Sequence, residues 1–177
     1  MAADFNIEMQ LKNDLWAFAL NFYQQPGVES ACLLLQEQFG LSINRIIYAA
    51  WCGCEGQSLR VNEALLQADK WQKGITHPLR AVRYAVREQK KSDPALDTCY
   101  QALRKAELAC EQVELALLYE QHQQHLSKDE REGTTLLGYQ NIEIYLNSHN
   151  VELDSELELI LGPILSAINH YLGTNRS

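Results

Sequence analysis

The chain has 177 residues, of which 46% are hydrophobic and 21% are charged, and its formal net charge is −8. This length suits one globular domain, and the composition excludes a disordered or low-complexity chain. The negative charge argues against nucleic acid as a partner, because the protein and the phosphate backbone repel each other.

The cysteine content and the apolar runs indicate a cytoplasmic protein. No secretory leader is recognisable in residues 1–13. The most apolar stretch, residues 157–172, is too short and too polar to cross a membrane, so we expect no membrane partner. The cysteines are odd in number, which favours reduced thiols; they are Cys32, Cys52, Cys54, Cys99 and Cys110.

Apolar residues at helical spacing predict three helices in the first third of the chain. Asn13 is placed to cap the first, Gly40 to end the second and Ser42 to cap the third. Each helix should bury one face. The side chains expected on those faces are Trp16, Cys32, Phe39 and Trp51.

Two further helices are predicted between residues 62 and 91. Asn62 is placed to cap the fourth, which should run through Trp71 and be ended by Gly74. Thr76 should open the fifth, because Pro78 then falls in the first turn, where proline is tolerated.

The clearest periodicity follows Asp93-Pro94, which is a strong helix start signal. A 3-4-3-4 spacing is typical of a helix that packs along its length against another helix. We call these residues the heptad face: Leu96, Cys99, Leu103, Ala106, Cys110, Val113 and Leu117.

The last third predicts a solvated loop over residues 127–133 and two more helices, 135–147 and 155–172. Together the elements predict an all-α protein, a single-domain irregular bundle of seven or eight helices around a long central helix. The domain should span residues 13–173, with residues 1–12 as a flexible N-terminus.

Residues 14–53 carry a distinctive set: Leu15, Trp16, Tyr23, Pro26, Gly27, Val28, Cys32, Leu33, Leu35, Gln36, Gly40, Asn44, Trp51 and Gly53. With this set the segment resembles the opening of an uncharacterised proteobacterial family, domain of unknown function 2390. The family usually has an acidic residue shortly before the asparagine, where this chain has Leu41-Ser42-Ile43. The resemblance implies a small, mostly helical bacterial protein and supplies no activity.

A first candidate site joins amide and aromatic side chains. Gln36 and Asn44 fall on the core side of their predicted helices and could line a pocket for a small polar group. The alternative is a junction network in which the amides satisfy helix ends. The pocket candidates are Trp16, Tyr23, Gln36, Asn44 and Trp51.

We identify no catalytic, cofactor-binding or metal-binding motif. Cys52-Gly53-Cys54 would need two further ligands to hold zinc, and no clustered pair lies at a suitable spacing. The sequence contains no His-Glu-x-x-His motif and no glycine-rich phosphate loop. An enzyme is therefore the least favoured reading.

Between Lys70 and Lys91 there are seven basic residues and one acidic residue, so this window carries +6 and the rest of the chain −14. This basic window predicts an interaction or regulatory protein that binds an acidic or phosphate-bearing partner. The alternatives are a small-molecule or anion-binding module, or neutralisation by the protein's own acids; homo-oligomerisation is left open. The candidate residues are Arg80, Arg83, Tyr84, Arg87 and Lys91.

Overall fold

A computed structural model describes residues 9–60, 63–124 and 133–175. Within these ranges the chain forms α-helices and no strand, which confirms the all-α prediction. No helix there is both long enough and apolar enough to cross a membrane. The α-helices of the described ranges are α1 (Asp14–Tyr23), α2 (Val28–Phe39), α3 (Ile43–Cys54), α4 (Glu63–Trp71), α5 (His77–Lys90), α6 (Asp97–Gln124), α7 (Thr135–Ser148) and α8 (Ser155–Asn175).

The helices fall into two compact units. Unit 1 comprises residues 1–13 and 62–124, and unit 2 comprises residues 14–61 and 125–177. The single domain over residues 13–173 stays a prediction. The predicted flexible N-terminus and solvated loop lie mostly outside the described residues, although Gly133, at the end of that loop, is buried.

Helix α3 is the core element of unit 2, because ten of its twelve residues are buried. It packs directly on α7, where Gly53 and Gly138 meet. A Cβ atom added to Gly53 would lie 2.3 Å from the Cα atom of Gly138. The two helix backbones are therefore in contact, which side chains larger than hydrogen would prevent.

Two polar side chains of α7 satisfy the backbone around α3. The fully buried Asn141 accepts a hydrogen bond from the Leu59 N–H at 2.8 Å and donates to the Ala49 carbonyl at 3.2 Å. The Tyr145 hydroxyl accepts a 2.9 Å bond from the Ser42 N–H. Ser42 is the N-cap residue of α3, as predicted, although its side chain makes no cap hydrogen bond to the helix.

Unit 1 is built around an antiparallel helical hairpin, residues 63–124. Helix α4 runs through Trp71, as predicted, but it continues into α5 through a π-helical segment, Gln72–Thr76, so the expected break at Gly74 is wrong. A glycine ends a helix when it takes a left-handed φ, which Gly40 does at 66° and Gly74 does not. Asp93 does cap the next segment, since its Oδ1 accepts from the Ala95 N–H at 3.0 Å.

The predicted buried faces are partly correct. Cys32 and Trp51 are buried as expected. Phe39 is wrong, with 38% of its surface exposed at the last position of α2. On α1 the buried aromatic rings are Phe18 and Phe22, while Trp16 is only half-buried. The buried face of α1, which carries Leu15, Phe18 and Phe22, is thus turned by about 100°, one residue along the helix, from the predicted face.

Candidate functional site

Helix α5 carries most of the basic window, including the candidate residues Arg80, Arg83, Tyr84 and Arg87, and it packs loosely on the rest of the protein. None of its 14 residues is buried. Leu79 and Val86 are half-buried on the side that faces α6, and Val82 is 51% exposed. Hydrophobic burial against α6 is therefore small, and polar contacts carry much of the attachment.

Two of the candidate arginines provide these contacts by pairing with acids of α6. The Arg80 Nε donates to Glu107 at 2.6 Å, and its Nη2 donates to Glu111 at 2.7 Å. Arg83 donates to the second oxygen of Glu107, which is 6% exposed. Charge-assisted bonds of this kind are stronger than neutral ones. Arg80 and Arg83 thus join α5 to α6.

The pairing acts differently on the two acids. Burial opposes ionisation of Glu107, but the hydrogen bonds from Arg83 and Arg80 outweigh it and hold the Glu107 pKa below its usual value. For Glu111, burial dominates over the attraction of Arg80 and raises the pKa. Glu107 is therefore the firmly charged partner at this junction.

The remaining candidate residues, Tyr84, Arg87 and Lys91, are exposed to solvent. The ring of Tyr84 is contacted by two guanidinium groups, with the Cζ of Arg83 at 4.5 Å and the Cζ of Arg87 at 4.6 Å from its centroid. The side chain of Arg87 is 51% exposed, and its 3.8 Å approach to Glu88 is too long for a hydrogen bond. Lys91 is also exposed and contacts Glu88 at 2.5 Å. Tyr84, Arg87 and Lys91 therefore remain together at the surface.

One exposed cation on the same side was missed by the sequence reasoning. The Arg80–Glu107 and Lys90–Asp97 pairs fix the register between α5 and α6. At 100° per residue, this register places Arg104 level with Tyr84 and on the same side of the hairpin. Arg104 lies outside the basic window, so only the pairing of the two helices reveals it.

The aromatic and amide candidates are packed into unit 2. Trp51 is 2% exposed, and Trp16, Tyr23, Gln36 and Asn44 are half-buried. A cavity of about 270 Å³ lies elsewhere, between α1 and α8, and none of the five candidates lines it. Their role in a pocket stays a prediction.

The Cys52 and Cys54 thiols are buried, and burial raises the pKa of each to about 12. Such thiols are neutral at physiological pH and are poor nucleophiles. Among the residues that the structure describes, no three His, Cys, Asp or Glu side chains are grouped to hold a metal ion.

A family model described as "Protein of unknown function (DUF2390)" matches residues 14–118, more than half of the chain. The chain belongs to this family. The match takes in α1 to α5 and most of α6 and ends before α7 begins. No curated protein matches, and no solved structure matches.

Proposed function

We propose that this protein is a cytoplasmic interaction protein that binds an acidic segment of a partner protein. The binding surface is the exposed side of the hairpin, and we name it the basic patch: Tyr84, Arg87, Lys91 and Arg104. The observation that carries the proposal is the half-exposed Arg87 guanidinium, which stacks on Tyr84 and has no hydrogen bond to its neighbour Glu88. A guanidinium held in this way can bind a carboxylate through two parallel bonds.

The charge distribution directs an acidic partner to this surface. Residues 63–124 contain nine basic and nine acidic residues, so the whole net charge of −8 lies outside the hairpin. Two of the nine acids, Glu107 and Glu114, are buried. Arg80 and Arg83 are also mostly buried, because they pair with Glu107, so the hairpin surface stays near neutral while the rest of the chain carries the net charge of −8 and repels an acidic partner.

The surroundings of the patch favour a protein segment over a small anion. Leu108 is 52% exposed and, by the same helical geometry, lies on the side of the hairpin that carries Arg104. Tyr84 is 40% exposed. A free phosphate ion cannot use these apolar surfaces, whereas an amphipathic acidic helix contacts both the cations and the apolar side chains.

The free thiols support the proposed compartment. All five cysteines, Cys99 at the surface among them, are free thiols. Thiols persist in the reducing cytoplasm and are oxidised in most secreted proteins.

The test is a binding titration with a labelled amphipathic peptide that carries glutamates on one face and leucines on the other. Arg87→Glu and Arg104→Glu should each weaken binding about fivefold at low salt, since an exposed ion pair is worth up to about 1 kcal/mol. The matched control is Lys105→Glu, the same charge change on an exposed neighbour that lies about 100° from Arg104 around α6. It should change affinity less than about twofold.

Equal losses for Arg104→Glu and Lys105→Glu would reject the patch. Displacement of the peptide by millimolar inorganic phosphate would instead support the anion-binding alternative.

A further inference from the structure

Helices α1 and α8 enclose a cavity of about 270 Å³ within unit 2. Its lining comes from one side of α8, at the spacing i, i+3, i+4, i+7, and from one side of α1 and the turn that follows it. Positions with this spacing ordinarily carry apolar residues that pack against a neighbouring helix. Here most of them are polar instead: Asn21, Gln25, His170 and Thr174.

The apolar wall of the cavity contains two aromatic rings that a third ring holds in place. Phe22 and Tyr171 line the cavity. The buried Phe18 contacts both, with its ring centroid 4.9 Å from that of Phe22 and 4.8 Å from that of Tyr171. The Phe18 ring is inclined by 21° to Phe22 and by 83° to Tyr171, so the two lining rings stand at a steep angle to each other. A flat ligand ring can stack on one of them and turn its edge toward the other.

The polar side chains offer hydrogen-bond acceptors. The amide nitrogens of Asn21 and Gln25 donate to backbone carbonyls, at 3.1 Å to Ala17 and at 3.3 Å to Asn21. In the part of the chain that the structure describes, neither amide oxygen accepts a hydrogen bond. The Thr174 hydroxyl donates to the Tyr171 carbonyl at 2.9 Å, so its oxygen can still accept a bond. Three oxygens are thus available to a ligand that donates, and a primary ammonium group has three N–H donors.

The charge around the cavity favours a cation over an anion. The residues of unit 2 include twelve acids and five bases, a net charge of −7. Two of these acids act on the Tyr171 hydroxyl: burial raises its pKa, and the charges of Glu55 and Asp14 raise it further. No lysine or arginine lines the cavity to oppose them. The negative potential attracts a cation to this site.

The size of the cavity limits the ligand to a small molecule. Because a water molecule occupies about 30 Å³ in the liquid, the cavity holds about nine non-hydrogen atoms. One aromatic ring with a short side arm fills this space.

We infer that this cavity binds a small primary amine that carries one aromatic ring, an arylalkylamine in its ammonium form. The ring packs against Phe22 and Tyr171, and the ammonium group donates to the oxygens of Asn21, Gln25 and Thr174. This site goes beyond the proposed function, because the cavity belongs to unit 2 and the basic patch to unit 1. Either proposal can fail without the other.

A ¹H–¹⁵N NMR titration of the full chain tests the inference with three probes of similar size. 2-Phenylethylamine is the cation, 2-phenylethanol its neutral analogue and phenylacetate its anionic analogue. The amine should bind saturably and shift the side-chain amide signals of Asn21 and Gln25. The alcohol should bind at least about fivefold more weakly, because it has one uncharged donor. Phenylacetate should not bind.

Two variants test the site itself. Asn21→Lys brings a competing ammonium group to the cavity and should weaken amine binding at least about tenfold. Its matched control is Gln24→Lys, which adds the same charge at an exposed residue outside the lining and should change affinity less than about twofold. Thr174→Phe fills the cavity without changing the charge and should abolish binding. All three positions are exposed, and far-UV circular dichroism confirms that the variants fold.

Absence of saturable binding by the amine would overturn the inference. So would equal affinity for the alcohol or for phenylacetate, because the ammonium group would then contribute nothing. Amine binding that Asn21→Lys or Thr174→Phe leaves intact would also overturn it, since the amine would then bind outside this cavity.

Discussion

A buried and an exposed threonine hydroxyl show how position sets the value of a polar group. The Thr76 side chain is fully buried in the π-helical segment, and its Oγ1 has no hydrogen-bond partner among the residues that the structure describes. The Thr134 Oγ1 accepts a 3.0 Å bond from the Leu137 N–H and caps α7. The Thr76 hydroxyl destabilises the folded state, because burial removes its hydrogen bonds to water and supplies no replacement. The Thr134 hydroxyl stabilises the folded state by capping α7.

We therefore predict opposite effects for the same substitution. Thr76→Val should raise the free energy of unfolding by about 1 kcal/mol, since it removes an unsatisfied hydroxyl and keeps the side-chain shape. Thr134→Val should lower it by about 1 kcal/mol through loss of the cap. Urea unfolding of the two variants at pH 7 measures both values. A loss of stability in Thr76→Val would show that its hydroxyl has a partner in solution.

His122 makes stability depend on pH. Burial lowers its pKa from 6.5 to about 4. Because the folded state binds this proton more weakly than the unfolded state, the stabilising contribution is complete above pH 6.5 and is lost as the pH falls toward 4. Between pH 7.5 and 5 the free energy of unfolding should fall by about 2 kcal/mol from this group alone. In His122→Asn this part of the pH dependence should be absent, and an identical decline in both proteins would refute the assignment.

At the scale of helices, the close crossing of α3 and α7 depends on glycine. Gly53→Ala places a methyl group against the Gly138 backbone, where no flexible side chain can move away. We expect the free energy of unfolding to fall by about 3 kcal/mol, the upper range for overpacking. Gly162→Ala is the matched control, because a Cβ atom at that position of α8 has nothing within 4 Å. It should stabilise the helix by about 0.5–1 kcal/mol.

Helix boundaries were readable from sequence where a local signal fixes the backbone. Gly40 ends α2 at the expected residue, in the left-handed conformation that favours glycine. Gly74 also suggests a helix end in the sequence, but it lies inside a π-helical segment. A single glycine does not reveal such a segment.

The candidate site was only partly readable for a similar reason. The basic residues of α5 were found from one helix, but their partners depend on the register with α6. That register assigns Arg80 and Arg83 to pairing within the hairpin and adds Arg104 to the patch. The heptad face of α6 shows the same limit: five of its seven residues are half-buried and two are exposed, because a periodic pattern shows that a helix has an apolar side and does not show how far a neighbour covers it.

At the scale of the whole chain, unit 2 is discontinuous: residues 14–61 and 125–177 lie on either side of the hairpin segment. The family match ends at residue 118, before α7. Yet α7 is the helix that contacts the Gly53 backbone and supplies Asn141 to the backbone around α3. The matched segment alone therefore lacks the packing partner of its most buried helix.

The prediction that follows compares two deletions. A chain that ends at residue 124 should leave α3 without α7 and lose cooperative unfolding, because residues of α3 that α7 covers in the native fold would be exposed. A chain in which residues 62–132 are replaced by about six glycine and serine residues should keep unit 2 folded. Such a linker spans about 13 Å, which suits ends that are anchored on one helix pair: Leu59 bonds to Asn141, and the Thr134 N–H bonds to Gly53. Near-UV circular dichroism and urea titration distinguish the outcomes. A cooperative transition in the first chain together with none in the second would show that the hairpin segment, and not α7, completes the fold around α3.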